Sequence, residues 1–473
     1  MTFARISTSI VNEIFGLDQQ GKDPAEIARI LNLKKMQVST ILAHERFKRN
    51  PVAEEGSEAG MPESLDEEVS TFQAHDADTL EKLQVPSSRL DLEETVSNGI
   101  YIGDDREYGD PLYWTPTDTQ AVQNPHLMIM GESGSGKTYA AQCLITELAQ
   151  TNIPSVIFDY GQSFELETVE QVFRKFAAPC EHLIGEHGLV LNPLQIFPTD
   201  IHGPGTVATR VSDVFDAVYH LGDIQRKVII DAILRAFERH GIQTNAKDTW
   251  GKPSPTLSVL QEVLEEFSLD KEYPNYKNAT GVAARLTTFF MLNSFRNDGA
   301  PWSWDVFIND QKQRVHILQF RGLEGKTQRI LVEMLLWHLF FFLKSLGQGH
   351  LRLYCVLDEA HHLSFRDNGP VDSLLREARK FGLGLIFASQ QPQDFSPAAF
   401  SNSASKLVFQ TSDPGLKVSK FLAAKCTNYG DPNQIRDLIS ILQQGEAFFI
   451  TKNKGYVVSV ADLKKRETLW TEK

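Results

Sequence analysis

Cysteine is scarce in this chain. Four occur in 473 residues, Cys143, Cys180, Cys355 and Cys426, and none forms a CxxC pair. Such scattering suggests neither a zinc site nor a disulfide framework, and buried reduced thiols are the expectation. Long hydrophobic runs are also missing. The longest, Ile330 to Leu343, contains Glu333 and His338 and is too short for a bilayer, so a buried helix is expected there and a membrane anchor is not. Met1 to Phe15 has no secretory or transit pattern, and a cytoplasmic location is expected. Positive charge is in deficit, with a net charge of −14. Residues 51–97 alone hold 13 acids against Lys82 and Arg89, or −11; the rest has 48 acids and 45 Lys plus Arg, or −3. Acidity confined to one segment does not exclude a nucleic-acid partner.

What is present divides into three parts. Residues 1–50 read as a helical, helix-turn-helix-like module: Ala28, Asn32, Val38 and Ile41 have the spacing for packing, turn and sealing. Lys34, Lys35, Gln37, Ser39 and Thr40 would then face a major groove. The module has 8 basic and 5 acidic residues, and protein docking stands beside DNA contact as a reading. Residues 51–97 read as an acidic linker whose charge could imitate a phosphate backbone. From residue 98 to 473, strand and helix patterns alternate, which implies an α/β fold with a mainly parallel sheet. Strands are expected at His126–Met130, Ser155–Asp159, Arg314–Phe320, Leu353–Leu357, Gly384–Ala388 and Lys406–Gln410, with a C-terminal pair at Gly445–Thr451 and Gly455–Val460. A mostly helical insertion is expected at about 165–310.

The strongest motif is Gly131-Glu132-Ser133-Gly134-Ser135-Gly136-Lys137-Thr138, a full GxxxxGK[ST] between a strand and a helix. Its glycines let successive backbone N–H groups face phosphates, and the helix N-terminus favours an anion. Lys137 is expected to reach the β- and γ-phosphates of ATP, and Thr138 to ligate Mg²⁺. A second strand, Leu353–Leu357, ends in Asp358 and Glu359. Asp358 would hold Mg²⁺ through its water shell, and Glu359 would orient or deprotonate the attacking water. Asp358-Glu-Ala-His361-His362 also looks like a DEAH box, but only 115 residues follow Asp358, too few for a second lobe. A third strand ends in Ser389-Gln390-Gln391; Gln390 is the candidate γ-phosphate sensor, with a plain strand-to-loop turn as the alternative. Arg376 and Arg379 share a face of the expected helix Val371–Lys380, either as arginine fingers for a neighbouring subunit or as local partners, Arg376 with Asp372.

Together with Asn124-Pro-His-Leu, Val156-Ile-Phe-Asp159, Leu191-Asn192-Pro193-Leu194, the block Arg376 to Pro397 and Gln444-Gly445-Glu446-Ala447, the chain resembles the HerA/FtsK group of P-loop ATPases over roughly residues 98–460, and is most like HerA and the type IV secretion ATPases. The resemblance implies a RecA-like core and a homohexameric ring that moves double-stranded DNA with ATP, acting with a nuclease or other effector in DNA processing or anti-phage defence. It also implies arginines acting in trans. HerA proteins usually begin with a β-barrel; only Gly99–Trp114 offers a remnant hairpin here, and Gln391 stands where the group often has Arg. An ATP-switched DNA-binding regulator and a protein-secretion ATPase remain as other readings.

Overall fold

Runs such as Val156-Ile-Phe and Leu353-Tyr-Cys-Val-Leu have no polar face, so they must be covered on both sides. The computed structural model of the chain does this with one eleven-stranded sheet. It describes residues 99–472 apart from 119–121, 311, 324, 361, 362, 364, 366–368, 391–394 and 413–415, together with Lys22, Ile27 and Ile30. Apart from those last three residues, the helix-turn-helix-like module lies outside the described ones, as do the acidic linker, His361, His362 and Gln391. The chain divides into two units, Met1–Gln84 and Val85–Lys473.

In chain order the strands are β1 (Ile100–Asp105), β2 (Pro111–Trp114), β3 (Leu127–Met130), β4 (Ser155–Asp159), β5 (Cys180–Leu183), β6 (Val315–Gln319), β7 (Leu353–Leu357), β8 (Leu383–Ser389), β9 (Ser405–Phe409), β10 (Glu446–Thr451) and β11 (Lys454–Val460). Across the sheet the order is β2-β1-β11-β10-β9-β3-β8-β7-β4-β6-β5. From β9 to β5 every pairing is parallel, and the four strands from β10 to β2 are antiparallel. Side chains alternate between faces: Met128, Met130, Val156 and Phe158 join one buried layer, Leu127, Ile129 and Ile157 the other. The helix Lys137–Gln150 covers the second face. The apolar helix Gly325–Ser345 and the insertion helices Pro204–Tyr219, Asp223–Arg239, Leu257–Leu269 and Tyr276–Met291 build the first.

Three features differ from the sequence reading. The mostly helical insertion also carries a strand not expected from the sequence, Cys180–Leu183, which adds β5 at the sheet edge. Its sequence, CEHL, lacks both an apolar run and an alternation, the two signals a strand normally gives. The segment Gly99–Trp114 does form a hairpin, but β1 pairs with β11 and extends the main sheet. The helix expected to reach Lys380 runs Pro370–Glu377 and gives way to a 3₁₀ turn, Ala378–Phe381, stopped by Gly382 at φ 80°. Among the described residues, no helix is long and apolar enough to cross a membrane.

Lys406 on β9 is buried, and its Nζ donates to the carbonyl of Ser403 at 2.5 Å. Burial, with Lys425 nearby, pushes its ammonium down to about 7. Between pH 7 and the ordinary 10.5 the unfolded chain keeps a proton here that the folded chain has lost. Stability from this group therefore rises with pH across that window and is least at and below pH 7. Lys406→Met is expected to raise the urea midpoint at pH 7 and to flatten the gain seen between pH 7 and 9. An unchanged pH slope would show that the amine stays charged when folded.

Candidate nucleotide site

Parallel strands end at the same edge of a sheet, and ligands bind outside those carboxyl ends. Here β3, β8, β7 and β4 are consecutive neighbours, so the loops leaving them converge. They enclose a cleft of about 380 Å³. Ser133, Gly134, Gly136, Lys137 and Thr138 line it from the loop after β3, Asp358 and Glu359 from the end of β7. Ser389 and Gln390 line it from the end of β8. Because β8 lies between β3 and β7, Gln390 emerges between the phosphate loop and the two carboxylates.

The loop geometry depends on glycine. Gly134 and Gly136 have φ of 79° and 108°, where a side chain is strained. A Cβ on Gly131 would lie 2.6 Å from Cβ of Phe409, so the loop could not settle against β9. Lys137 is buried and donates from Nζ to the Glu132 carbonyl at 2.8 Å, folded back over its own loop. Burial pushes its ammonium below the ordinary range, opposed by Asp358, Glu359 and Glu132. Gly131, Glu132 and Ser135 do not line the cleft. Ser135 Oγ donates to the Glu132 carbonyl at 2.7 Å, and the Glu132 carboxylate accepts from Ser412 N at 2.9 Å and Ser412 Oγ at 2.6 Å. The side chain of Glu132 thus braces the loop against the chain leaving β9.

At the end of β7, Asp358 is 3% exposed. Burial first, then the charges of Asp159 and Glu359, push its carboxyl up to about 7. Its Oδ2 is buried with no hydrogen-bond partner among the described residues. A buried carboxylate with an open lone pair, crowded by two other acids, fits a divalent cation. Glu359 has φ 52°, a left-handed backbone that disfavours a side chain by about 1–2 kcal/mol. Such strain persists where the surroundings fix it, and it aims the carboxylate across the strand ends. Gly161, after β4, makes room: a Cβ there would lie 3.2 Å from the Glu359 carboxyl carbon.

Asp159, quoted above only as part of a motif, stands behind the cleft without lining it, and its charge acts on Asp358. It ends β4 beside β7, is fully buried, and accepts from Ser163 N, Phe164 N and Gln319 Nε2 at 3.0, 2.9 and 2.8 Å. An acid closing an apolar strand next to the Asp–Glu strand is a signal that could have found it. Ser163, Tyr139 and Gln444 also line the cleft. Gln444 arrives because Gly445 N donates to the Ser135 carbonyl, seating that segment on the phosphate loop. Arg376 and Arg379 are not brought to this cleft. Arg376 pairs with Asp372 at 2.6 Å, and Arg379 lies in the 3₁₀ turn before β8, at the opposite edge of the sheet. There burial, aided by the Arg379 charge, pushes His126, just before β3, down to about 3.

A phosphate loop beside two carboxylates at the end of a nearby strand, on a mainly parallel sheet, defines a P-loop ATPase. The family model "Helicase HerA, central domain" matches residues 115–339. The "DNA double-strand break repair helicase HerA" of Sulfolobus acidocaldarius is 31% identical over 382 residues, covering 76% of this chain and 70% of that protein. The protein of the same name from Saccharolobus solfataricus is 21% identical over 69% of this chain, which spans 62% of that protein's length. In fold, VirB4 of Thermoanaerobacter pseudethanolicus is similar, with a TM-score of 0.61 and 18% identity over 77% of this chain and 96% of that one. The chain belongs to the HerA family.

Proposed function

We propose that this chain hydrolyses ATP to translocate double-stranded DNA as a homohexameric ring, working with a nuclease or other effector in DNA processing or anti-phage defence. One observation carries the reading: the phosphate loop, Asp358, Glu359 and Gln390 meet in a single cleft. The relatives named for DNA double-strand break repair supply the DNA. The loop amides from Ser133 to Thr138 and Lys137 bind the phosphates. Thr138 and Asp358 would hold Mg²⁺, which would supply positive charge against the phosphate oxygens. Glu359 accepts a proton from the attacking water, and Gln390 reports the γ-phosphate to β8. The crowding of Asp358 by Asp159 and Glu359 is relieved by a proton or by a cation, so a bound metal would compete with protonation of Asp358.

Arg376 and Arg379 lie away from their own cleft, so any role in hydrolysis is in trans. Mixing Glu359→Gln with Arg379→Ala chains is the discriminating measurement. Each alone is expected to be inactive, and the mixture is expected to recover activity, because some interfaces then pair an intact cleft with an intact arginine. Linear duplex DNA is expected to stimulate ATP hydrolysis by the unmodified chain, with hexamers in mass photometry. DNA-independent turnover by a dimer would replace this reading with a regulator, and indifference to DNA in a ring would favour a secretion ATPase.

A further inference from the structure

Outside the nucleotide cleft, at the far edge of the sheet, β5 and β6 run parallel with Cys180 opposite His316. Side chains alternate along a strand, so Cys180 and His182 share a face, and His316 stands beside them on it. The ligand atoms of the three all lie within 4.8 Å of one another. His182 Nε2 and His316 Nδ1 are 3.1 Å apart. Two nitrogens at that separation, each about 2.0–2.1 Å from a shared zinc ion, subtend roughly 100° there, close to tetrahedral.

The surroundings suit a metal. Phe307 stacks on His316 with centroids 3.9 Å apart, and Trp302 meets His182 edge-on at 5.3 Å. Trp302 and the helix Trp304–Asn309 thus wall the cluster on one side. Asp310 places a negative charge near both Cys180 and His316. His316 is 2% exposed, its Nδ1 faces His182, and its Nε2, without a partner among the described residues, is the nitrogen left to keep the ring proton. Cys180 is the one cysteine that is not buried, which leaves an entry path and room for a fourth ligand.

We propose that Cys180, His182 and His316 bind one zinc ion, which pins the end of the helical insertion to the edge of the sheet. One thiolate and two imidazoles are donors of zinc character, and a water completes the set. On binding, one proton leaves, from the Cys180 thiol. Both rings bind as neutral imidazoles, each keeping its proton on the nitrogen that does not ligate.

The test uses the full chain, stripped of metal and saturated with Mg²⁺ to occupy oxygen-ligand sites, then titrated with Co²⁺. One equivalent is expected to give thiolate-to-cobalt charge-transfer absorption with strong tetrahedral ligand-field bands, both erased by Zn²⁺. Cys180→Ser is expected to lose the charge-transfer band, and His182→Asn to weaken cobalt binding at least about tenfold. Absence of these bands, or their persistence in Cys180→Ser, overturns the proposal. If the variants fail to fold, alkylation of the unmodified chain decides. Zn²⁺ is expected to slow labelling of Cys180 at least about tenfold, and an unchanged rate refutes the site.

Discussion

Glu359→Gln is expected to lower ATP hydrolysis by about 10²- to 10⁴-fold while leaving nucleotide affinity within a few-fold of the parent. The substitution keeps the size and planarity of the side chain, so the recess beside Gly161 stays filled. It removes the group able to accept the water's proton. It also removes one of the two charges that push Asp358 up, so Asp358 ionises more readily, which offsets the lost attraction of Glu359 for the cation. Phosphate release and equilibrium nucleotide binding must therefore separate in this variant. Lys137→Ala is the contrasting case: with the ammonium gone, both affinity and turnover fall. Hydrolysis by Glu359→Gln at the parent rate would remove Glu359 as the base, and with it the motor reading. A loss of binding equal to the loss of turnover would instead point to a collapsed loop.

Much of this was legible in the sequence because the signals were local. A GxxxxGK[ST] loop between a strand and a helix fixes its own backbone, and the eight expected strands reappear with ends shifted by at most one residue. The ends of β7 and β8 were readable for the same reason: apolar runs that stop abruptly at acids or amides. What stayed hidden was long-range. The bracing of Glu132 by Ser412 spans 280 residues, and the pairing of His182 with His316 spans 134. No period or spacing reports such contacts. Asp159 is an intermediate case, visible as a strand-terminal acid but assignable only once β4 is seen beside β7. The strain at Glu359 could not be read at all, because glutamate carries no signature of a positive φ. The arginines were placed on one helical face by a 3.6-residue period that ends at Glu377, where the 3₁₀ turn begins.

Arg466→Ala is expected to destabilise the unit Val85–Lys473 by about 3–5 kcal/mol. Arg466 lies on the C-terminal helix Leu463–Thr471 and is 0% exposed. Its guanidinium donates to the carbonyls of Ala461, Tyr101 and Ile102 and to Glu147 Oε1, the last at 2.8 Å. Glu147 is on the helix that begins at the phosphate loop, so one side chain joins the C-terminal helix, β1 and that helix. Truncation strands the Glu147 carboxylate in a buried place and takes a donor from the carbonyls of Ala461, Tyr101 and Ile102, of which Ile102 keeps Ala461 N. The expected loss is therefore larger than the net worth of the ion pair, which must overcome the desolvation of both charges. The double variant Glu147→Leu with Arg466→Met separates these terms. It removes both charges at similar volume and is expected to recover the part of the loss that the stranded Glu147 carboxylate causes, but not the part due to the carbonyls. The urea midpoints of the three chains, with hydrogen exchange at residues 463–471, provide the measurement. A single variant within about 1 kcal/mol of the parent would show that water reaches the pair, and that the helix is held by the apolar contact of Leu463 rather than by this arginine.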